Sequence, residues 1–135
     1  MGADQVVDRM GFAQGQIILE VGLKSDCDQD LRNSLLQKTG TEFIEGSAHE
    51  VVDSVLLWWR DDDGDLVDEL VDALTFLTED GPIWVLTPKV GRPGHVEASD
   101  IQDAAPTAGL SQTVSFPVCS NWTATKLVHR KGSKK

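Results

Sequence analysis

At 135 residues the chain has the length of one domain and is too short for two independent catalytic ones. With 40% hydrophobic and 25% charged residues, four Trp and four Phe, it holds enough apolar material to close a core and too much to stay disordered. Its 22 acids against 12 bases give a formal charge of −10, which disfavours broad nucleic-acid binding, where Lys and Arg must neutralise phosphates.

Asp4 to Met10 reads as a short helix ended by Gly11. The run Gln16 to Val21 is short, β-branched and bounded by Gly15 and Gly22, as a buried strand is. Ser25, Asp26 and Asp28 offer N-caps to a helix with Cys27, Leu31 and Leu35 at helical spacing, closed by Gly40. Thr41 to Glu45 is a brief second strand. Asp53 to Trp59 is a third, and its nearly continuous apolar character suits a strand covered on both faces. From Asp65 a stripe of Leu66, Val67, Leu70, Val71, Leu74 and Leu77 predicts a helix, broken by Asp80-Gly81-Pro82. Ile83 to Thr87 is a fourth strand, followed by a loop from Pro88 to His95 rich in Gly and Pro. Ser99 with Gln102 forms a capping box for a helix ending near Gly109, shortened or kinked by Pro106. Thr113 to Val118 and Thr123 to Val128 read as two strands, joined as a hairpin.

Alternating strands and helices predict an α/β fold, a mostly parallel sheet between helices that ends in a C-terminal antiparallel strand pair. Residues 1–130 read as a single α/β domain, with 131–135 a flexible basic tail. Residues 1–103 hold all 22 acids and seven bases, for −15, whereas 104–135 hold five bases and no acid. Thirteen of the carboxylates fall between Glu42 and Asp80, facing the single base Arg60. Blocks of this kind are most often solvated helix faces.

Cys27 and Cys119 lie 92 residues apart with neither a Cys-x-x-Cys nor a histidine at ligand spacing, so zinc and thioredoxin-type chemistry lack their pattern. No secretory leader or membrane span is visible, and the expected setting is the cytoplasm. His49 and His129 have no partners in view, and hydrolase and nucleotide-hydrolysing motifs are absent. The run Asp61-Asp62-Asp63-Gly64-Asp65 misses the spacing of a calcium loop, because Leu66 stands where that loop needs Gly, and is better read as helix-start acids favouring the positive dipole end; no metal is expected.

Trp58-Trp59-Arg60 closes a strand, and ligands of open α/β sheets bind at the carboxyl ends of strands. Successive side chains point to opposite faces, so each Trp can enter a core on its own side, with Arg60 a counter-charge to the acids. The functional reading of the same residues is a stacking wall beside a cation. Lys89, Arg92 and His95 bring three cations onto the loop after the next strand, and this loop is the best functional candidate. Its structural reading is a pair of left-handed turns at Gly91 and Gly94.

Three stretches, Ile18 to Gly22, Asp53 to Leu57 and Leu77 to Val85, resemble the core of the S-adenosylmethionine methyltransferase fold. The runs Leu56 to Leu70 and Trp84 to Val96 resemble an actinobacterial family of small proteins of unknown function, over nearly the whole chain. These resemblances imply a Rossmann-like, methyltransferase-like architecture and no established activity, and they place Glu20 and Glu45 as cofactor-contacting acids would stand. The methyltransferase pattern sets several glycines after the first strand so that backbone can approach the cofactor. Here Gly22 is followed by Leu23, Lys24 and Ser25, whose side chains would crowd that place.

The reading drawn is a non-catalytic, regulatory or binding domain without catalytic residues or cofactor. Its strand-end edge, comprising Glu20, Gly22, Trp59, Arg60, Asp61, Lys89, Arg92 and His95, takes a small ligand or a protein partner. Membranes and nucleic acid are not expected partners, and an edge strand near the C-terminus leaves room for a homodimer. The alternatives are a methyltransferase with a degenerate glycine motif that uses S-adenosylmethionine, and an acidic docking module for a basic protein surface.

Overall fold

The computed structural model describes residues 3–129 except 23, 26, 41, 46–50, 79, 80 and 120, and excludes the side chains of 3–5 and 45. Asp26, the Glu45 side chain, His49 and the tail at 131–135 therefore lie outside the described residues. The elements run α1 (Ala3–Met10), β1 (Ile18–Val21), α2 (Gln29–Thr39), β2 (Ile44–Glu45), β3 (Ser54–Trp58), α3 (Leu66–Leu74), β4 (Ile83–Pro88), α4 (Ala98–Thr107), β5 (Leu110–Pro117) and β6 (Trp122–His129). They build one six-stranded sheet in the order β2-β1-β3-β4-β6-β5. The first four strands of that order are parallel, while β6 runs antiparallel between β4 and β5. The α/β architecture with a C-terminal antiparallel pair is the one expected.

Alternation along each strand divides the core in two. Leu19, Val55, Leu57, Ile83 and Val85 face α3 and α4, meeting Leu66, Leu70, Ala73, Ile101, Ala104 and Ala105. Ile18, Leu56, Trp58, Trp84 and Leu86 face the other way, onto Val6, Val7 and Met10 of α1 and Leu31 and Leu35 of α2. Helices on both faces leave β3 and β4 buried along their whole length, which is why those segments are so continuously apolar. Each fully buried Leu contributes about 1.5–3 kcal/mol.

Local signals explain the helix ends. The Asp28 side chain accepts the Leu31 amide at 2.8 Å to cap α2, and Gly40 closes it at φ 73°, a left-handed conformation that suits a residue without Cβ. Asp65 caps α3 by accepting the amides of Val67 and Asp68. Two expectations need correction. Helix α3 stops at Leu74, because the Thr75 amide turns back to Asp72 and the chain then runs beside Val52, whose amide bonds the Phe76 carbonyl. Leu77 continues the apolar spacing from a parallel bridge to Val52, and Val71 is 48% exposed and off the buried stripe. The capping box is also not formed: Val96 is drawn into the core and the helix begins directly after Glu97, which makes no side-chain cap, so Ser99 lies inside the first turn. Pro106 sits in the last turn of α4, which ends one residue later.

Removing the true cap and the expected one should therefore differ. Asp65→Ala should cost about 1 kcal/mol in urea unfolding, whereas Ser99→Ala should change stability by less than about 0.5 kcal/mol.

Candidate functional site

Parallel pairing of β1, β3 and β4 brings their carboxyl ends to one edge, so Gly22, Trp59-Arg60-Asp61 and the loop after Pro88 converge there although they are far apart in sequence. Trp59 extends β3 by one residue, donating its amide to the Leu86 carbonyl at 2.8 Å, and the Asp61 amide donates to the Gly94 carbonyl at 3.0 Å. At Gly94, φ is 82° and a Cβ would stand 3.0 Å from the Cβ of Arg60, so the loop lies directly against that side chain.

Arg60 is 5% exposed. Its Nη1 donates to the Gly22 carbonyl at 3.0 Å, to the Trp58 carbonyl at 3.2 Å and to Asp63 Oδ2 at 3.2 Å, while Nη2 lies 3.4 Å from Cys27 Sγ. The guanidinium also stacks 5.2 Å from the centre of the Trp122 ring, which meets Trp58 edge-on. Asp63 accepts the Arg60 amide and the Lys24 ammonium as well. Burial works to raise the Asp63 carboxyl, but the hydrogen bonds from Lys24 and Arg60 outweigh it and hold the group below its ordinary value. Gly22 itself sits at φ 84° with the Trp58 carbonyl 2.3 Å from where a Cβ would be, so the turn needs glycine to pass over β3.

Glu20 lies on the α1 and α2 side of β1 and is 5% exposed. Both of its oxygens accept from Arg32, at 2.7 and 2.8 Å, and Oε2 also accepts the Trp58 indole N–H at 3.0 Å. These bonds to Glu20 push the Arg32 guanidinium above its ordinary value.

The remaining candidates separate onto other surfaces. Trp59 enters the α3 and α4 core and floors a cavity of about 560 Å³ rimmed by Asp61, Asp65, Asp100 and Asp103. Among the described residues no group of three or more His, Cys, Asp or Glu side chains is arranged to hold a metal. The loop turns at Gly91 and Gly94, both left-handed, leaving Arg92 exposed. Lys89 donates its amide to the Asn121 carbonyl and lines a second cavity, of about 540 Å³, together with His95. His95 Nδ1 lies 3.0 Å from the Pro88 carbonyl, which can only accept, so that nitrogen carries the proton; Nε2 lies 3.4 Å from Glu97. The edge thus joins Gly22 to Arg60 and Arg60 to the loop, and does not bring Glu20 or Arg92 into the same space.

The expected counter-charge of Arg60 to the acids is made with Asp63, while Trp122 and Cys27 as its further partners were overlooked. Trp122 and Cys27 are 62 and 33 residues away from it, and only the pairing of β6 with β4 and the turn into α2 bring them in. Thr87, Thr123 and Thr125 of the second cavity were also passed over, although alternate residues of one strand, Thr123 and Thr125, share a face. Cys27 and Cys119 are both thiols, and burial pushes Cys119 up to about 11.

Comparison with known proteins gives the chain a family and a fold. Uncharacterized protein Rv2239c of Mycobacterium tuberculosis is 48% identical over 129 residues, covering 96% of this chain and 81% of the relative; Mb2263c of Mycobacterium bovis matches equally. Among solved structures, mitomycin 7-O-methyltransferase MmcR superposes with a TM-score of 0.68 at 13% identity, over 95% of this chain but 53% of the enzyme, so the chain spans about half of it. A SAM-dependent methyltransferase from Aquifex aeolicus gives 0.64 at 12%, over 93% of this chain and 88% of that one. The O-methyltransferase NcsB1, solved with S-adenosylmethionine, gives 0.67 at 13%, over 86% of this chain and 49% of that one. The fold is thus methyltransferase-like. The family described as "Protein of unknown function (DUF3052)" matches residues 7–131, and the chain belongs to it.

Proposed function

We propose that this chain is a non-catalytic binding domain on a methyltransferase-like sheet, which takes its ligand or partner at the carboxyl ends of β3 and β4 and transfers no methyl group. The observation that carries this reading is Arg60. S-adenosylmethionine is the cofactor the fold implies, and the resemblance puts it over the turn after β1. There the guanidinium is bonded to the Gly22 carbonyl and packed against Cys27 and Trp122, and Glu20, the acid the resemblance offers, is already held by Arg32 and Trp58. These residues do not fit the cofactor. Opening the place would break several hydrogen bonds to a buried charge at once, each worth about 1.5–3 kcal/mol. Gly22 and Arg60 brace the edge, and Lys89 and His95 on the loop after β4 present the groups a ligand would meet.

No helix among the described residues is long and apolar enough to cross a membrane. Cys27 and Cys119 form no disulfide, which supports the cytoplasm as the proposed setting. A second reading, docking of a basic protein segment, is favoured by the four carboxylates around buried Trp59. It expects a tetralysine peptide to bind at low salt, and to bind more weakly after Asp100→Asn and Asp103→Asn; salt-insensitive binding would count against it.

Titration with S-adenosylmethionine at about 1 mM should leave the melting temperature unchanged, since only a ligand that binds the folded state raises it. A shift that disappears on changing Glu20 would overturn the reading. Arg60→Lys should cost about 2 kcal/mol in urea unfolding, because a single ammonium nitrogen gives up the Nη2 contact to Cys27 and the planar stack on the Trp122 ring. The pH dependence has a definite sign. Asp63 is held below its ordinary 3.8, so its stabilisation is present above that value and is lost as pH falls through the folded-state pKa. Asp63→Asn should therefore lower stability at neutral pH and flatten the acid limb of an unfolding-against-pH curve.

A further inference from the structure

The second cavity, beneath the loop after β4, holds two features that the fold itself does not use. Thr87 is 4% exposed, yet among the described residues its hydroxyl has no hydrogen-bond partner. The Lys89 ammonium likewise has no carboxylate partner among the described residues, in a chain where acids outnumber bases 22 to 12. The Thr87 hydroxyl is not one of the side-chain polar atoms sealed from solvent without a partner, which among the described residues are Trp84 Nε1 and His129 Nε2, so it opens into the cavity and is available to a ligand there.

The register explains how the cavity acquires its chemistry. Thr87 pairs with Thr123, and Val85 and Ser115 both pair with Thr125, so these residues share the sheet face whose neighbouring positions, Val85 and Leu127, are core. Hydroxyls thus replace aliphatic groups where the sheet runs out from under α4. Thr125 and Ser115 are 3.1 Å apart and bond each other, which leaves each with capacity for a further partner. The walls are apolar, from Val96 and Ile101, and the volume of about 540 Å³ falls in the range of small-molecule sites. The ten-residue helix α4 begins at the rim with Ala98; Glu97 makes no side-chain cap, and although the Asp100 amide donates to the Glu97 carbonyl at 3.0 Å, the amides of Ala98 and Ser99 precede the helix's own bonds. Glu97 is turned toward His95.

We infer that this cavity binds a small hydroxylated organic anion of the sugar-phosphate class. Lys89 and the start of α4 take the anionic group, while Thr87, Thr123 and Thr125 exchange hydrogen bonds with the hydroxyls of the body. Hydroxyls suit hydroxyls because each can donate or accept, and a single ammonium supplies a point charge for phosphate without requiring the planar fork of an arginine. The inference rests on the strand-end binding reading and names the ligand chemistry of one part of that edge.

The probe is ribose 5-phosphate, titrated into the full chain by calorimetry and melting shift, with ribose, inorganic phosphate and gluconate as separate arms and S-adenosylmethionine alongside. Ribose 5-phosphate should bind at least about tenfold more tightly than ribose or inorganic phosphate alone, because both halves of the cavity are then used. Lys89→Met should weaken it at least about tenfold and Thr87→Val severalfold, whereas Lys38→Met, on the far helix layer, should leave it unchanged. Thr87→Val keeps the shape and is expected to fold, so it tests the site even if the lysine variant is unstable. Gluconate binding as tightly as the phosphate sugar would replace phosphate by carboxylate and overturn the assignment of class. No binding of ribose 5-phosphate at about 10 mM, or binding undiminished in both variants, would overturn the site. Binding of S-adenosylmethionine beside an intact ribose 5-phosphate response would instead overturn the reading of the first-strand turn and leave this cavity standing.

Discussion

The edge of this molecule is organised by one buried cation that has to be satisfied. Arg60 brings a guanidinium under cover at the end of the central strand, and a charge taken out of water is tolerated only when its donors find acceptors. The acceptors come from three directions: the Gly22 carbonyl from the turn after β1, the Trp58 carbonyl from its own strand, and Asp63 from the turn into α3. Cys27 ahead of α2 and the Trp122 ring at the start of β6 close the remaining sides. Four segments are thereby held in one arrangement. The glycine at position 22 belongs to the same constraint, since its carbonyl reaches Arg60 only while the turn hugs the backbone of Trp58.

That arrangement also separates fold from chemistry. The sheet order and the superposition on methyltransferases describe how the chain is built, and a scaffold carries no activity without the groups that perform it. The turn after β1 is here a packed polar contact around Arg60. A strand further along, β4 and β6 present hydroxyls instead of core residues and line a cavity together with Lys89 and His95.

The layers were legible in the residues because each strand's composition reports how many of its faces are covered. Val55 to Trp58 and Ile83 to Leu86 are continuously apolar, and both strands are buried throughout. Helix α2 was legible through Asp28 and Gly40, two residues whose local chemistry fixes a helix end regardless of the rest of the fold. The start of α4 was not, because Ser99 and Gln102 make a good local pattern that the burial of Val96 overrides. The end of α3 was hidden for a related reason: Leu77 keeps helical spacing while serving a bridge to Val52. For the site, the strand-end positions could be read, but the direction of each side chain could not. Glu20 and Arg60 look equally available on paper, and both are spoken for by residues from other elements that only the folded topology brings near.

The outer strand β5 has a consequence for how copies of this chain can meet. Its pairing with β6 shifts register between Gln112 and Val114, an irregularity that twists the exposed side of a strand away from a flat, repeating ladder. At the opposite margin β2 pairs over two residues. Among the described residues, neither margin gives a further strand the long, regular row of donors and acceptors on which sheets grow.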